Sequence, residues 1–192
     1  YLHTDISKRG AAKNIVDKMI SEFGSIDILV NNAGICRVNN VQDFDRDDWD
    51  PMIDVNLTAA FEMIHESSKY MTAQKSGKII NICSLFSYLG GLGSPAYAAT
   101  KHGIAGLTKA YCDELAQYNI QVNGIAPGYY ATEIKKQTRE NPETNKKVLD
   151  HMPANRWGEV EDLMGSIVFL ASKASDYVNG HIITVDGGYL VR

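Results

Sequence analysis

Three polar residues in the middle of the chain have the types and the spacing for acid–base chemistry. Ser84 is followed thirteen residues later by Tyr97, and Lys101 comes four residues after that. Four residues make about one helical turn, so Tyr97 and Lys101 share a face of a predicted helix. A free tyrosine has a pKa near ~10 and is a poor base at neutral pH, but a neighbouring ammonium lowers that pKa by roughly 1–3. The pair therefore suits a general acid/base.

The serine of this set follows a predicted strand, Lys78–Cys83. Ligands of open α/β folds bind at the carboxyl ends of the strands, so Ser84 is expected at the edge where a substrate would lie. Its hydroxyl could polarise a carbonyl group there. The alternative is that Tyr97 and Lys101 form only an exposed helical pair, because a tyrosine and a lysine often occur at this spacing by chance.

The elements that must position these residues alternate between short β-branched runs and amphipathic stretches, which indicates an α/β fold with a parallel sheet. The predicted strands are Tyr1–Thr4, Ile26–Asn31, Lys78–Cys83, Gln121–Ile125 and Ile182–Val185. The predicted helices are Ser7–Phe23, Asp50–Met71, Tyr97–Gln117 and Glu159–Ala171. Ser7 is the expected cap of the first helix, and Pro51 behind Asp50 is the expected start of the second. Residues 126–153 are expected to be irregular, with one short mobile helix.

The order of the strands predicts a gap at the front of the fold. In a doubly wound sheet of order 3-2-1-4-5-6 the first strand is central. If Tyr1–Thr4 is the third strand, the two strands that join it to the strand at Ile26 are not in the sequence, and neither is a G-x-x-x-G-x-G turn. Such a gap leaves interior backbone groups unpaired. We therefore expect roughly a third of a mononucleotide-binding fold to lie upstream.

Composition narrows the classes of partner. The chain has 192 residues, 44% of them apolar, and a formal net charge of −4 without a block of Lys or Arg, which argues against a nucleic acid or an anionic membrane as partner. No apolar run approaches the ~20 residues of a membrane span. Cys36, Cys83 and Cys112 form no C-x-x-C pair and are expected to be reduced thiols in a cytoplasm. The five histidines lack carboxylates at ligand spacing, so no metal site is expected. The expected partner is a small molecule.

Further motifs occur in order around the central set. Asn31-Asn32-Ala33-Gly34 ends a strand, Asn56 lies in the following helix, and Pro127-Gly128 with Thr132 follows the next strand but one. With these motifs the sequence resembles the classical short-chain dehydrogenase/reductase family from Asp5 to its end. The resemblance implies a single Rossmann-type domain over residues 1–192 that transfers hydride between NAD or NADP and an alcohol or ketone.

The resemblance also implies roles for individual residues. Tyr97 is the implied catalytic acid/base, and Lys101 lowers its pKa and holds the nicotinamide ribose. Ser84 positions the substrate oxygen, and Asn56 bends its helix to hold a relay water. Contacts with the cofactor are implied for Asp5, Ile6, Asn31, Ala33, Gly34, Tyr97, Lys101, Pro127, Gly128 and Thr132. Asp5 can equally be a plain helix-leading residue, and Asn31 a structural one.

The choice between NAD and NADP stays open, because the residue at the end of the second strand that would decide it is not in the sequence. A homotetramer is implied, with the helices at 50–71 and 97–117 forming one interface and the last strand another. The segment Thr132–Asp150 is expected to close over the substrate.

The substrate is inferred from four shorter runs, which resemble gluconate 5-dehydrogenases and 2-deoxy-D-gluconate 3-dehydrogenases. They are Asn81–Ser84, Pro153–Gly158, Asp162–Gly165 and Asp176–Gly180. Sugar acids carry a carboxylate, which an arginine can hold by two parallel hydrogen bonds, and Arg37 follows the Gly34 turn where those enzymes also carry arginine. Arg37 can equally be a solvated surface residue, and Val38 stands where those enzymes carry a second arginine.

Two rival functions remain open at this point. One is a 3-oxoacyl-carrier-protein reductase or another ketone reductase, because the family motifs do not determine the substrate. The other is a non-catalytic family member that binds a cofactor or a partner.

Arg156, in one of the four runs, is expected to be structural and to pair with Glu161 or Asp162.

Overall fold

The computed structural model of the chain describes residues 1–133 and 136–192 and has an α/β fold around a parallel sheet. The strands of the sheet are β1 (Ile28–Asn31), β2 (Gly77–Ile82), β3 (Ile120–Pro127) and β4 (Ile182–Val185). They pair in the order β1-β2-β3-β4, and each pair is parallel. The four later strands predicted from the sequence are confirmed to within two residues at each end.

Helices cover the sheet on both faces. They are α1 (Ala11–Phe23), α2 (Arg46–Met52), α3 (Ala59–Gln74), α4 (Pro95–Leu115), α5 (Lys136–Glu140), α6 (Pro142–His151) and α7 (Met164–Ala171). A π-helical turn, Ile53–Thr58, joins α2 to α3. Short 3₁₀ turns lie at Leu85–Ser87, Ala116–Tyr118, Val160–Leu163, Lys173–Ser175 and Tyr189–Val191.

The hydrophobic core is divided by the sheet. Ile79 and Ile80 are neighbours in β2 and both are fully buried, yet they belong to different clusters, because successive side chains of a strand point to opposite faces. Ile79 packs with residues of α1 and α3, such as Val16 and Ile64. Ile80 packs with Leu170 of α7. Helices on both faces of a parallel sheet are the doubly wound arrangement that the alternating sequence pattern predicts.

The predicted first strand is wrong. Residues 1–4 are exposed and belong to no strand of the described sheet. A lone extended segment needs a partner strand for its backbone groups, and β1 is the edge strand on that side of the sheet. Ile28 and Val30 of β1 are 44% and 40% exposed. Among the residues described, none pairs with this edge of the sheet.

Two predicted helix starts are also wrong. Gly10, with a φ of 85°, precedes α1, whereas the backbone N–H and the hydroxyl of Ser7 both donate to the carboxylate of Asp5. The second helix begins earlier than predicted, because Asp45 caps α2 by accepting from the N–H groups of Asp47 and Asp48. Pro51 therefore lies inside α2 rather than at its first position.

The segment predicted to be irregular is more ordered than expected. Residues 126–153 begin in β3 and contain both α5 and α6, instead of a single short helix. Asn141 caps α6 by accepting from two backbone N–H groups, and Pro142 occupies the first turn, where its missing N–H costs nothing. Residues 134 and 135, which belong to the predicted closing segment, lie outside the described residues.

A chain of hydrogen-bonded polar side chains joins the first two strands to α4. Asn31 Nδ2 donates to Asn81 Oδ1 at 2.9 Å, and Asn81 Nδ2 donates to Thr108 Oγ1 at 2.9 Å. Thr108 in turn donates to the carbonyl of Ile104 within its own helix. Asn81 is fully buried, so its amide has no access to water that could replace these partners.

We expect Asn81→Ala to lower the free energy of unfolding by about 2–4 kcal/mol, because it leaves the Asn31 amide without its partner inside the protein and opens a cavity. Urea denaturation measures this change. Asn14→Ala, at an exposed position of α1, is the matched control and should change stability by less than about 0.5 kcal/mol. Equal effects of the two substitutions would show that the Asn31–Asn81–Thr108 chain does not stabilise the fold.

Candidate active site

A cavity of about 180 Å³ opens at the carboxyl ends of β1, β2 and β3. It brings together six of the residues that the sequence singles out. They are Gly34, Ser84, Tyr97, Lys101, Pro127 and Gly128. This is the edge of the sheet at which open α/β folds bind their ligands. The predicted convergence of Ser84 with Tyr97 and Lys101 is therefore seen in the structure.

Ser84 is fixed by the 3₁₀ turn that follows β2. Its hydroxyl accepts from the N–H of Phe86 at 3.2 Å, and its own N–H donates to the hydroxyl of Ser87 at 3.2 Å. Ser87 then donates to the carbonyl of Lys101 at 2.8 Å and so ties the strand end to α4. Ser87 is not among the residues predicted from the sequence. The signal for it was a second serine three residues after Ser84, the spacing of a capping box.

Lys101 is buried, with only 5% of its surface exposed. Its ammonium donates to the carbonyl of Ile82 at 2.6 Å, and Nζ lies 5.6 Å from the centre of the Tyr97 ring. Burial lowers the pKa of Lys101 to about 8, because the charged form loses its hydration. The amine is thus still mostly protonated at neutral pH.

Tyr97 is partly buried and lies against Phe86, with their rings perpendicular at a centre-to-centre distance of 5.8 Å. Burial raises the pKa of Tyr97, whereas its hydrogen bond with Ser84 lowers that pKa, and burial dominates. The expectation that Lys101 lowers the pKa of this tyrosine is not met in the structure. Lys101 is not among the groups that shift this pKa, and the dominant effect is that the buried phenolate loses its hydration.

Asn56 lies in the π-helical turn, and its side chain holds the loop that follows Gly34. Its Oδ1 accepts from the N–H of Ile35 at 2.8 Å, and its Nδ2 donates to the carbonyl of Ile35 at 2.8 Å. Nδ2 also lies 3.3 Å from the hydroxyl of Thr100 in α4. A π-helical turn interrupts the helix at Asn56, and such turns often occur at functional sites. The relay water stays a prediction.

The residues predicted to contact the cofactor fall into three places. Gly34, Tyr97, Lys101, Pro127 and Gly128 line the main cavity. Ile6, Asn31 and Ala33 line a second cavity of about 70 Å³. Asp5 and Thr132 line neither. The carboxylate of Asp5 accepts two hydrogen bonds from Ser7, which lower its pKa, and the N–H of Thr132 donates to the carbonyl of Tyr130 at 2.8 Å.

Arg37 lies next to Cys36 of the main cavity, but its guanidinium contacts α2. Nη1 donates to the carbonyl of Asp47 at 2.7 Å and lies 3.7 Å from the carboxylate of Asp48. The carbonyl of Asp47 is available because Pro51, four residues on, has no N–H to offer it. The Arg37 side chain remains 47% exposed, so its role in substrate binding stays a prediction.

Several cavity residues were not identified from the sequence. Cys36, Phe86 and Tyr129 line the same cavity as Ser84 and Tyr97. Tyr129 follows Pro127-Gly128 directly, so its position beside that motif was the available signal. Phe86 and Cys36 have apolar or neutral side chains, and nothing in their spacing distinguishes them from core residues.

Outside the cavity, Arg156 is paired as predicted. It forms two hydrogen bonds with the carboxylate of Asp162, at 2.7 and 3.1 Å, and this pairing lowers the pKa of Asp162 to about 2. Within residues 1–133 and 136–192, His, Cys, Asp and Glu side chains form no cluster that could hold a metal ion. In the same ranges no helix has the length and apolar character needed to cross a membrane.

Residues 1–190 match a family model described as enoyl-(acyl carrier protein) reductase. The chain is 69% identical to the uncharacterized oxidoreductase YgcW of Escherichia coli over 192 residues, which are 100% of this chain and 74% of that protein. It is 47% identical to the 2-dehydro-3-deoxy-D-gluconate 5-dehydrogenase of E. coli, covering 100% of this chain and 76% of that enzyme.

The fold matches a crystal structure of a gluconate 5-dehydrogenase from Burkholderia cenocepacia J2315 in complex with NADP and tartrate. The TM-score is 0.95 at 41% identity, over 98% of this chain and 74% of that one. The chain thus spans about three quarters of the length of these proteins. These matches agree with the arrangement of Ser84, Tyr97 and Lys101 in one cavity, and the chain belongs to the short-chain dehydrogenase/reductase family, among relatives of the sugar-acid dehydrogenases.

Proposed function

We propose that this protein catalyses reversible hydride transfer between NAD or NADP and a secondary hydroxyl group of a sugar acid such as gluconate. The observation that carries the proposal is the single cavity that holds Ser84, Tyr97 and Lys101 at the carboxyl edge of the sheet. Two comparisons support it. The relatives described above are named as dehydrogenases of sugar acids, and the complex from B. cenocepacia contains tartrate, which is a hydroxy acid.

The residues of the cavity fit the nicotinamide end of such a cofactor. The Lys101 ammonium and the hydroxyls of Ser84 and Tyr97 provide donors for a ribose and for a substrate oxygen. Gly128 presents bare backbone to the cavity and packs against Asp186. A Cβ added to Gly128 would lie 2.6 Å from the Cα of Asp186. Solved structures of four relatives contain NADP, which makes NADP the first cofactor to test.

Tyr97 is the residue that exchanges the proton. Because burial raises its pKa, the phenol is protonated at neutral pH and can donate to the oxygen of a ketone as it becomes an alkoxide. The Ser84 hydroxyl, which hydrogen-bonds with Tyr97, can hold the same oxygen. A bound nicotinamide would supply the hydride for reduction and accept it in oxidation. Oxidation requires the phenolate, so its rate should rise with pH while reduction is favoured near neutral pH.

Arg37 is the proposed cation for the carboxylate of the substrate. Its guanidinium is held in one orientation by the carbonyl of Asp47, and it is half exposed beside the loop that contributes Cys36 to the cavity. A planar guanidinium with N–H groups on two edges can contact α2 with one edge and a carboxylate with the other.

The homotetramer that the family resemblance implies stays a prediction of the sequence.

The proposal is tested first by following nicotinamide absorbance at 340 nm. The full-length protein is assayed with NAD or NADP and with gluconate, 2-deoxygluconate and 5-ketogluconate. We expect Tyr97→Phe to reduce kcat by roughly 10²- to 10⁴-fold, because the proton donor is lost while the ring is kept. Unchanged turnover in Tyr97→Phe would disprove the catalytic role of Tyr97. Turnover of neutral ketones or acyl-carrier substrates alone would favour the rival reductase, and none with any substrate would favour a non-catalytic member.

The role of Arg37 is tested by Arg37→Ala. We expect its KM for a sugar acid to rise about ten- to a hundredfold, because a charge-assisted hydrogen bond to the carboxylate is lost, while the KM for a neutral ketone of similar size stays the same. Arg46→Ala is the matched control, since Arg46 is an exposed arginine of α2 that pairs with Asp50. Equal changes for the charged and the neutral substrate would mean that Arg37 only supports the fold.

Lys101→Met should abolish turnover and yet stabilise the protein at pH 7. The pKa of Lys101 is lowered from 10.5 to about 8, so the charged amine destabilises the folded state below pH 8. We expect the methionine variant to be more stable by about 2 kcal/mol at pH 7, after allowance for the lost hydrogen bond to Ile82. Urea denaturation without cofactor measures the difference.

The pH dependence of this difference follows from the direction of the shift. Between about pH 8 and 10.5 the unfolded chain holds more protons at this site than the folded protein, so wild-type stability rises with pH relative to the variant. The difference in stability between Lys101→Met and the wild type should therefore shrink toward pH 10. Lys109→Met, at an exposed position of the same helix, should show no such trend. A variant that is less stable than the wild type at pH 7 would contradict the proposed cost of burial.

A further inference from the structure

Tyr129 lies in the wall of the catalytic cavity but plays no part in the proton transfer described above. It directly follows Pro127-Gly128 and lines the same cavity as Ser84 and Tyr97. Phe86 lines this cavity as well, so two further aromatic residues lie among the polar residues proposed to do the chemistry. An aromatic wall beside a few placed polar groups is the usual composition of a small-molecule site.

The backbone of Tyr129 is held on both sides. The preceding Gly128 packs so closely on Asp186 that an added Cβ would lie 2.6 Å from its Cα. The carbonyl of Tyr129 accepts from the N–H of Gly158 at 2.9 Å. A Cβ at Gly158 would lie 2.7 Å from the Tyr130 ring, so the backbone passes close to that ring at a position where only glycine fits. The position from which the Tyr129 side chain projects is therefore fixed.

The ring of Tyr129 is held by two further aromatic residues. Trp157 meets it edge to face at 5.6 Å between ring centres, and the Tyr189 ring lies 5.2 Å away. Burial and the neighbouring Tyr189, to which it hydrogen-bonds, raise the pKa of Tyr129 to about 12, so its phenol stays neutral under assay conditions. Tyr189 is itself packed on His151 of α6, 4.3 Å between ring centres.

We propose that Tyr129 is a specificity-determining residue, whose ring packs against the carbon chain of the substrate and limits the size of substrate that the cavity accepts. A polyol chain presents C–H groups on its faces and hydroxyls on its edges, so a fixed aromatic ring can cover one face while Ser84 and Tyr97 contact an oxygen. Because its neighbours prevent the ring from turning away, a bulkier chain is excluded. The inference rests on the proposed function for the identity of the substrate.

Steady-state kinetics of three variants of the full-length protein test this role. We expect Tyr129→Ala to raise the KM for gluconate about tenfold or more with a smaller change in kcat, since packing against the chain is lost. The same variant should gain activity on a bulkier ketone relative to the wild type. Tyr129→Phe keeps the ring and should change KM less than threefold. Tyr130→Phe is the matched control, because it removes a buried hydroxyl bonded to the Val185 carbonyl without touching the cavity.

A second measurement reports substrate contact without turnover. Trp49→Phe leaves Trp157 as the one tryptophan of the 192 residues, and Trp157 touches the Tyr129 ring. Titration of gluconate into this variant, with Tyr97→Phe added to suppress turnover and with NADP at saturation, should change the Trp157 emission. The change should be lost at the same concentrations when Tyr129→Ala is added. The affinity for NADP, measured separately, should be unaltered by Tyr129→Ala.

The outcomes separate this inference from the proposed function. If the wild type turns over no sugar acid, the proposed substrate class is wrong, and the KM comparison is made with whichever ketone of the panel the wild type reduces. If that KM is the same in the wild type and in Tyr129→Ala, the ring does not contact the substrate and the inference is overturned. It is also overturned if Tyr129→Ala and Tyr130→Phe raise KM and lower NADP affinity alike, because both then act only through the fold.

Discussion

The candidate site is organised around the buried amine of Lys101 and its hydrogen bond to the carbonyl of Ile82, 2.6 Å long. An ammonium is costly to remove from water, so it is held in the interior only by a partner of fixed geometry. Here that partner is the last residue of β2. The bond therefore fixes the distance between the end of β2 and the catalytic helix α4. Ser84 lies two residues beyond Ile82, and Tyr97 lies one helical turn before Lys101.

The remaining polar groups around this bond form a continuous scaffold. Ser87 connects the turn after β2 to the backbone of Lys101, and Asn56 connects the loop after Gly34 to Thr100 of the same helix. Each is buried and each has its partners inside the protein. Helix α4 is thus attached to two strand ends by hydrogen bonds rather than by apolar packing alone. Hydrogen bonds have directions, which is why they can hold reacting groups more accurately than apolar contacts.

Much of the fold and of the central site could be predicted from the sequence. The strands β2, β3 and β4 are runs rich in β-branched residues, which can be predicted from neighbouring residues alone. Tyr97 and Lys101 are likewise related by helical spacing, which depends only on their separation in the sequence. Residues 1–4 form no strand because a strand depends on a neighbour distant in the sequence. Tyr129 and Ser87 gain their importance from contacts across the fold with Tyr189 and Lys101, which no short pattern encodes.

The electrostatics of the site could be predicted only in part. Spacing showed that Lys101 is near Tyr97, but the direction of the tyrosine pKa depends on how deeply both groups are buried. That burial is produced by the packing of α4 on the sheet and on the turn at Leu85–Ser87. Arg37 shows the same limit, since its contact with α2 depends on the placement of Pro51 in the interior of a helix, a position that local rules for proline do not favour.

Pro51 links the stability of α2 to the placement of a side chain outside it. A proline inside a helix costs about 3 kcal/mol relative to alanine, so this position is an obvious target for anyone seeking a more heat-resistant enzyme. An alanine there would restore an N–H that can donate to the carbonyl of Asp47, the oxygen that Arg37 contacts. A carbonyl oxygen has two lone pairs, so the guanidinium would then share this oxygen with the helix. Pro51 thus leaves the oxygen to Arg37 alone, at a cost in the stability of α2.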